Sequence, residues 1–167
     1  IAALLKRAAD VDVKDVFSRT PLALASWRNN HRVIRYLLAM GADIEATDVF
    51  GASPLLRAIQ YSAVEAAAVL LEHGANPLAV DKNGQTILHR AAISRSQRVI
   101  EYLETQVSSL LVDVDVDAKD ACEKTARDRL VELEPTADLL AAFARLVTLV
   151  RRTRAEIEAT AENVDAS

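Results

Sequence analysis

The residues of this chain best suited to chemistry are three histidines, one cysteine and a short acidic run. Histidine and cysteine are the usual zinc ligands, and both can take part in nucleophilic catalysis. His31, His73 and His89 form no His-x-x-x-His pair, and Cys122 has no partner base evident in the sequence. These spacings do not favour a catalytic or metal site. We therefore expect no enzyme activity and no cofactor.

The acidic run at residues 113–120 is better explained by turn structure than by metal binding. A calcium loop needs a glycine at its turn and a glutamate at its end, and the run has neither at the required spacing. Its aspartates instead fall into columns that recur along the chain: Asp10, Asp43 and Asp115 in one, and Asp15, Asp48, Asp81 and Asp120 in the other. Carboxylates at such positions commonly cap turns. They would also make this side of the molecule acidic, which favours a basic partner.

The two columns belong to a period of 33 residues. Each full unit contains a hydroxyl residue, followed in two cases by proline, as is typical of a helix N-terminus: Thr20-Pro21-Leu22, Ser53-Pro54-Leu55 and Thr86-Ile87-Leu88-His89. A second helix is indicated by apolar groups at Val33-Ile34 with Leu37-Leu38, at Leu70-Leu71, and at Val99-Ile100 with Leu103. Glycine ends two of these helices, in Gly41-Ala42-Asp43 and Gly74-Ala75-Asn76. Such helix pairs bury their apolar stripes only by stacking on neighbouring units.

These signatures resemble those of the ankyrin repeat family, and the match covers nearly the whole chain. The resemblance implies an all-α helical repeat solenoid, with inner helices lining a concave groove and hairpin-like turns projecting as fingers. It also implies a structural role for His89, whose side chain would hydrogen-bond neighbouring backbone. The chain departs from the family pattern at Ala23 and Leu56, which hold the histidine position, and at Ser18, which replaces the turn glycine.

We expect one ankyrin repeat domain over residues 1–160. Its parts are a partial repeat, three repeats, and a divergent last repeat with a capping helix: 1–13, 14–47, 48–80, 81–119 and 120–160. An insertion near 105–114 would form a longer second helix or a bulging loop, and 161–167 would be a frayed tail. The final helix, from about Thr136 to Thr160, either caps the last repeat with Leu139, Phe143, Leu146 and Val150 or pairs with another helix as in a coiled coil.

The composition indicates a globular protein of the cell interior. The net charge of −4 over 167 residues argues against a general nucleic-acid surface, and no apolar run is long enough for membrane insertion. A single cysteine favours a reducing compartment, with the cytoplasm first and the nucleus as the alternative. The chain begins in the second half of a repeat, so we expect a piece of a longer protein in which Leu4 and Leu5 need a cover.

The candidate contact residues are those that the repeat itself does not need. They lie on the inner helices and finger tips: Phe17, Leu24, Trp27, Arg28, Phe50, Arg57, Gln60, Tyr61, Arg90, Ile93 and Ser94. Tryptophan, tyrosine and arginine are enriched among interface hot spots. We therefore predict a module that binds another protein through its groove and fingers, with the centre of the contact at Arg57, Gln60 and Tyr61. The alternatives are a regulatory or targeting segment of a larger enzyme and a structural subunit of a large assembly.

Overall fold

The computed structural model describes residues 10–107, 111 and 113–165. Within these residues the chain forms eight helices: α1 Pro21–Trp27, α2 His31–Ala39, α3 Pro54–Gln60, α4 Val64–Glu72, α5 Ile87–Ser94, α6 Gln97–Gln106, α7 Ala126–Glu132 and α8 Ala137–Asp165. The predicted partial repeat with Leu4 and Leu5, and residues 108–110 and 112 of the predicted insertion, lie outside the described residues.

The helices stack in two rows. The inner row contains α1, α3, α5 and α7, each in contact with the next, and the outer row contains α2, α4, α6 and α8 in the same way. The predicted all-α repeat solenoid is therefore confirmed.

Helix starts in the inner row follow from their capping residues. The Thr20 hydroxyl accepts the backbone N–H of Ala23 at 3.2 Å, and the Ser53 hydroxyl accepts that of Leu56 at 3.3 Å. A proline comes directly after each of these caps, where its missing N–H leaves no bond unmade. The inner helices thus begin at the same position of each repeat.

The core repeats with the sequence period. The inner helices contribute Leu22, Leu55 and Leu88, and the outer helices contribute Leu37, Leu70 and Leu103, all of them buried. Each leucine lies 33 residues from the next in its column, so neighbouring repeats cover one another's apolar stripes.

The hairpin-like turns that precede the inner helices are the fingers. Neighbouring fingers are also joined by backbone hydrogen bonds. The N–H of Val49 donates to the Phe17 carbonyl and that of Lys82 to the Phe50 carbonyl, both at 3.0 Å. One position of each finger has a positive φ: 56° at Ser18, 76° at Gly51, 69° at Gly84 and 58° at Glu123. Ser18 therefore keeps the turn conformation that the glycines adopt, despite its departure from the family pattern.

The last helix is longer than its sequence pattern predicts. It continues to Asp165, beyond the predicted end at Thr160, because no proline or glycine follows to stop it. Its buried residues Leu139, Phe143, Leu146 and Val150 lie on the half that packs against α6 and α7. Residues 161–165, predicted as a frayed tail, are helical. The expected cover of the last repeat is thus formed by the first half of α8 alone.

Replacing Gly51 by alanine should destabilise the protein more than replacing Gly84. Alanine at either positive φ costs about 1–2 kcal/mol in backbone strain. A Cβ atom at Gly51 would also lie 2.9 Å from the Lys82 nitrogen, whereas at Gly84 the nearest atom is 3.6 Å away. In urea titrations we expect Gly51→Ala to lower the free energy of unfolding by about 1 kcal/mol more than Gly84→Ala does. Equal losses would show that the fingers do not pack this closely.

Candidate functional site

An aspartate organises each finger of the repeat stack, and it is buried in the three fingers that follow the first. Asp48 Oδ1 accepts the N–H of Phe50 at 2.9 Å and that of Ala52 at 3.1 Å. The other oxygen, Oδ2, accepts Arg57 Nε at 2.7 Å and also contacts Nη2 of the same side chain. The aspartate therefore fixes the finger backbone with one oxygen and a residue of the inner helix with the other.

In three repeats the aspartate pairs in this way with the arginine nine residues after it: Asp48–Arg57, Asp81–Arg90 and Asp120–Arg129. In the first repeat Leu24 holds the arginine position. Arg19 takes over there from within the finger, with Nε at 2.8 Å and Nη2 at 2.7 Å from Asp15 Oδ2. We call this row of aspartate–arginine pairs the carboxylate ladder.

Gln60 links two steps of the carboxylate ladder. Its side-chain oxygen accepts Arg57 Nη1 at 3.0 Å and Arg90 Nη1 at 2.8 Å. Arg90, predicted as a partner contact, is only 6% exposed. That expectation is corrected: Asp81 needs a positive partner inside the protein, and the Arg90 side chain supplies it.

Four aromatic side chains lie together between the first two repeats. The ring centroids of Trp27 and Tyr61 are 4.9 Å apart at an interplanar angle of 35°. Phe17 and Phe50 border the same depression, which encloses about 180 Å³. All four side chains are substantially exposed, from 37% for Trp27 to 54% for Phe50. We call this group the aromatic cleft.

Two arginines of the carboxylate ladder lie over the rings of the aromatic cleft. The Arg19 guanidinium carbon lies 4.8 Å from the Phe17 ring centroid and 5.5 Å from that of Trp27. The Arg57 guanidinium carbon lies 5.4 Å from the Phe50 centroid. Because each guanidinium is already paired with an aspartate, its position over the ring is fixed before any partner arrives.

The structure brings together five of the predicted contact residues: Phe17, Trp27, Phe50, Arg57 and Tyr61. Three further residues line the cleft: Arg19, which the sequence places beside Phe17 at the finger tip, and Ala23 and Asp48, which the sequence analysis does not select as contacts. The signal for Ala23 is in the sequence, since it stands where the third repeat has His89.

The remaining predicted contacts lie outside the cleft. Arg28 is exposed directly after α1, whereas Leu24 and Ile93 are half-buried. The Ser94 hydroxyl donates to the Ala91 carbonyl at 2.7 Å, so it is occupied within its own helix. Of the three residues predicted as the centre of contact, Arg57 and Tyr61 line the cleft, whereas the side-chain oxygen of Gln60 is bound to two arginines.

His89 has the structural role that the family resemblance implies. Its Nδ1 accepts the Thr86 N–H at 3.3 Å, so Nε2 carries the proton and donates to the Lys124 carbonyl at 3.0 Å. The side chain therefore joins its own helix start to the next finger. No group of three potential metal ligands occurs among the residues that the structure describes.

Two aspartates of the acidic run, Asp115 and Asp120, cap turns, as expected. Asp115 accepts the N–H of Asp117 at 2.9 Å, and Asp120 accepts those of Cys122 and Lys124 at 2.9 and 3.2 Å. Burial of the Asp120 carboxyl acts to raise its pKa. Hydrogen bonds from Arg129, from the two N–H groups and from Gln85 outweigh that effect and hold the pKa at about 2.

Comparison with known protein families agrees with the repeat pattern. The model for ankyrin repeats, in three copies, matches residues 42–120, and the model for a single ankyrin repeat matches residues 18–49. A search of the curated proteins finds no match. None of the helices in the described ranges combines the length and apolar character needed to cross a membrane.

Acid should remove part of the stability that Asp120 contributes. Its pKa in the folded protein, about 2, lies below the reference value of 3.8. The contribution is therefore complete above the reference value and is lost as pH falls towards 2. We expect the difference in unfolding free energy between wild type and Asp120→Asn to shrink between about pH 5 and pH 2, measured by urea unfolding.

Asp113→Asn is the matched control, because Asp113 is exposed and lies seven residues away in the same acidic run. It should change the unfolding free energy by less than about 0.5 kcal/mol at pH 7. A difference between wild type and Asp120→Asn that stays constant over the whole pH range would contradict the assignment.

Proposed function

Since this chain belongs to the ankyrin repeat family, whose repeats are generally protein–protein interaction modules, we propose that it binds another protein through the aromatic cleft and the adjoining groove. It has no catalysis of its own in this proposal. The partner is a protein inside the cell, with the cytoplasm as the first choice, rather than a nucleic acid or a membrane.

The observation that carries the proposal is the exposure of four aromatic side chains in one concave place. Soluble proteins rarely leave aromatic groups clustered at the surface without a binding role. Trp27 and Tyr61 belong to the residue types most enriched at hot spots, and hot spots cluster in pockets that become fully desolvated on binding. The aromatic cleft has both residue types in a concave place, which supports the proposal.

The finger tips enlarge the apolar surface beside the cleft. Val16 is 90% exposed and lies next to Phe17, and Val49 in the second finger lies next to Phe50. The third finger has Lys82 and Asn83 at the corresponding positions. The apolar contact surface is thus concentrated on the first two repeats and becomes polar beyond them.

Rigidity supports binding as well. Each cleft arginine is fixed by an aspartate, and the finger backbones are hydrogen-bonded to one another. A preformed surface loses little side-chain freedom when the partner arrives. Because little entropy is lost, even a small contact area can then hold the partner.

The alternative functions place the same repeats in a larger context. A regulatory or targeting segment of an enzyme would bind the catalytic part of that enzyme through the aromatic cleft. A structural subunit would instead use the two ends of the stack. At one end α8 presents Leu149 and Ile157, which are 38% and 49% exposed.

A pull-down with matched double variants tests the proposal. Trp27→Ala/Tyr61→Ala should reduce recovery of the native partner about tenfold or more, because two hot-spot side chains are removed. The variant should keep the helical circular dichroism of wild type. Recovery would be quantified by mass spectrometry against wild-type bait.

Tyr36→Ala/Met40→Ala is the control, since both side chains are exposed on the outer row of helices, away from the cleft. It should recover the partner as wild type does. Equal recovery by wild type and the cleft variant would contradict the groove proposal, and loss with the outer-face control alone would assign the contact to the convex side.

A further inference from the structure

The loops that join each inner helix to its outer helix lie at the edge of the stack opposite the fingers. Each finger precedes an inner helix, and the chain returns to the next finger only after the outer helix. In the first three repeats these loops, with the helix starts that follow them, are residues 28–32, 61–65 and 94–98. They contain four arginines and one glutamate, which leaves three net positive charges in a chain of net charge −4. We call these three segments the cationic edge.

Hydrogen bonds hold the three loops of the cationic edge side by side. Glu65 Oε2 accepts Asn29 Nδ2 at 2.6 Å, and Asn29 Oδ1 accepts the N–H of Ala66 at 2.9 Å. The other oxygen of Glu65 contacts the guanidinium of Arg98. The hydrogen bond from Asn29 is the largest of the effects that lower the pKa of Glu65 from 4.5 to about 2. The one carboxylate of the edge is therefore charged and engaged within the protein.

Three arginines of the cationic edge have no carboxylate partner. Most arginines in the part of the chain that the structure describes form ion pairs, and four of them do not: Arg28, Arg32, Arg95 and Arg127. The first three of these four are exposed and lie on the cationic edge. Their guanidinium groups are thus available to a ligand from outside.

Arg32 stands at a position where its helix disfavours a cation. It lies in the first turn of α2, and the N-terminus of a helix carries a positive partial charge. No acidic residue compensates for it in that turn, whereas the equivalent position of α4 holds Glu65. Arg28 and Arg95 instead follow the ends of α1 and α5, where a cation suits the helix. Helix formation therefore accounts for Arg28 and Arg95 but not for Arg32.

The fourth loop limits the length of the positive surface. Beyond residues 94–98, the loop between α7 and α8 and the start of α8 contain the exposed Glu134 and Asp138. A long polyanion such as nucleic acid would run onto these carboxylates and be repelled. Packed helices lie about 8–10 Å apart, so the first and third loops are about 20 Å apart. An extended chain spans that distance in about six residues.

We propose that the cationic edge binds a short acidic segment of another protein. Its carboxylates pair with Arg28 and Arg32 at one end of the edge and with Arg95 at the other. The segment is uncharged in between, because the middle loop presents the Glu65 carboxylate. The recognised pattern is two acidic groups about six residues apart. This surface goes beyond the proposed function, which concerns the aromatic cleft.

Two peptides of equal composition test this pattern. The spaced peptide is Glu-Glu-Ser-Gly-Ser-Gly-Ser-Glu and the clustered peptide is Ser-Gly-Glu-Glu-Glu-Ser-Gly-Ser, both acetylated and amidated. Each is titrated into the isotope-labelled full chain at about 20 mM salt, where screening is weak, and amide chemical shifts are recorded by NMR. We expect the spaced peptide to shift the amides of residues 28–32 and 94–98, with half-saturation below about 2 mM. It should bind about two- to fivefold more tightly than the clustered peptide.

Matched charge variants locate the site. Arg28→Gln/Arg32→Gln removes two unpaired guanidinium groups and should weaken binding of the spaced peptide about fivefold or more at low salt. Arg152→Gln/Arg154→Gln makes the same charge change on α8, where both arginines pair within their own helix. This control should leave the affinity within about twofold of wild type. Raising the salt to about 150 mM should weaken binding of the spaced peptide by wild type about fivefold or more.

Equal affinity for the two peptides, equal affinity of the two double variants, or half-saturation above about 2 mM would each overturn the inference. A short DNA duplex that binds more tightly than the spaced peptide, and loses affinity with Arg28→Gln/Arg32→Gln, would assign the edge to nucleic acid and also overturn it. If the peptides fail while the Trp27→Ala/Tyr61→Ala variant still loses its native partner, only this inference fails, and the proposed function stands.

Discussion

The paired carboxylate in each finger, buried in the three fingers after the first, is the constraint on which the rest of the structure depends. Asp48 and its equivalents hold two backbone N–H groups with one oxygen and an arginine with the other. A buried charge that loses its partner is costly, so the arginine is confined to one position. Because the Arg57 guanidinium also lies over the Phe50 ring, the finger, the inner helix and the aromatic surface form one unit.

The aromatic cleft exists because the first repeat deviates from the others. Leu24 replaces the arginine of the inner helix, and Arg19 reaches Asp15 from the finger instead. This places a guanidinium between Phe17 and Trp27. Ala23, which stands where the third repeat has His89, lines the cleft. Small departures from a strict repeat thus convert a uniform stack into one with a local aromatic cleft.

The period of the sequence was sufficient to predict the fold, because helix caps, leucine columns and turn residues all keep the same phase. The site was predictable only in part. Arginine is enriched at interfaces and is also the natural partner of a buried carboxylate, so residue type alone could not separate Arg28 at the surface from the buried Arg90. The constant spacing of nine residues between aspartate and arginine is the signal that distinguishes them. Trp27 and Tyr61 are one position out of register with the 33-residue period. Their contact therefore could not be predicted from the period and is seen only in the structure.

A double-mutant cycle on Asp48 and Arg57 tests the central role of the carboxylate ladder most directly. The unfolding free energies of Asp48→Asn, Arg57→Met and the double variant would be measured by urea titration. If the pair acts as a unit, each single variant loses most of what the double variant loses, and the coupling energy exceeds about 1 kcal/mol. Losses that add within about 0.5 kcal/mol would contradict the account.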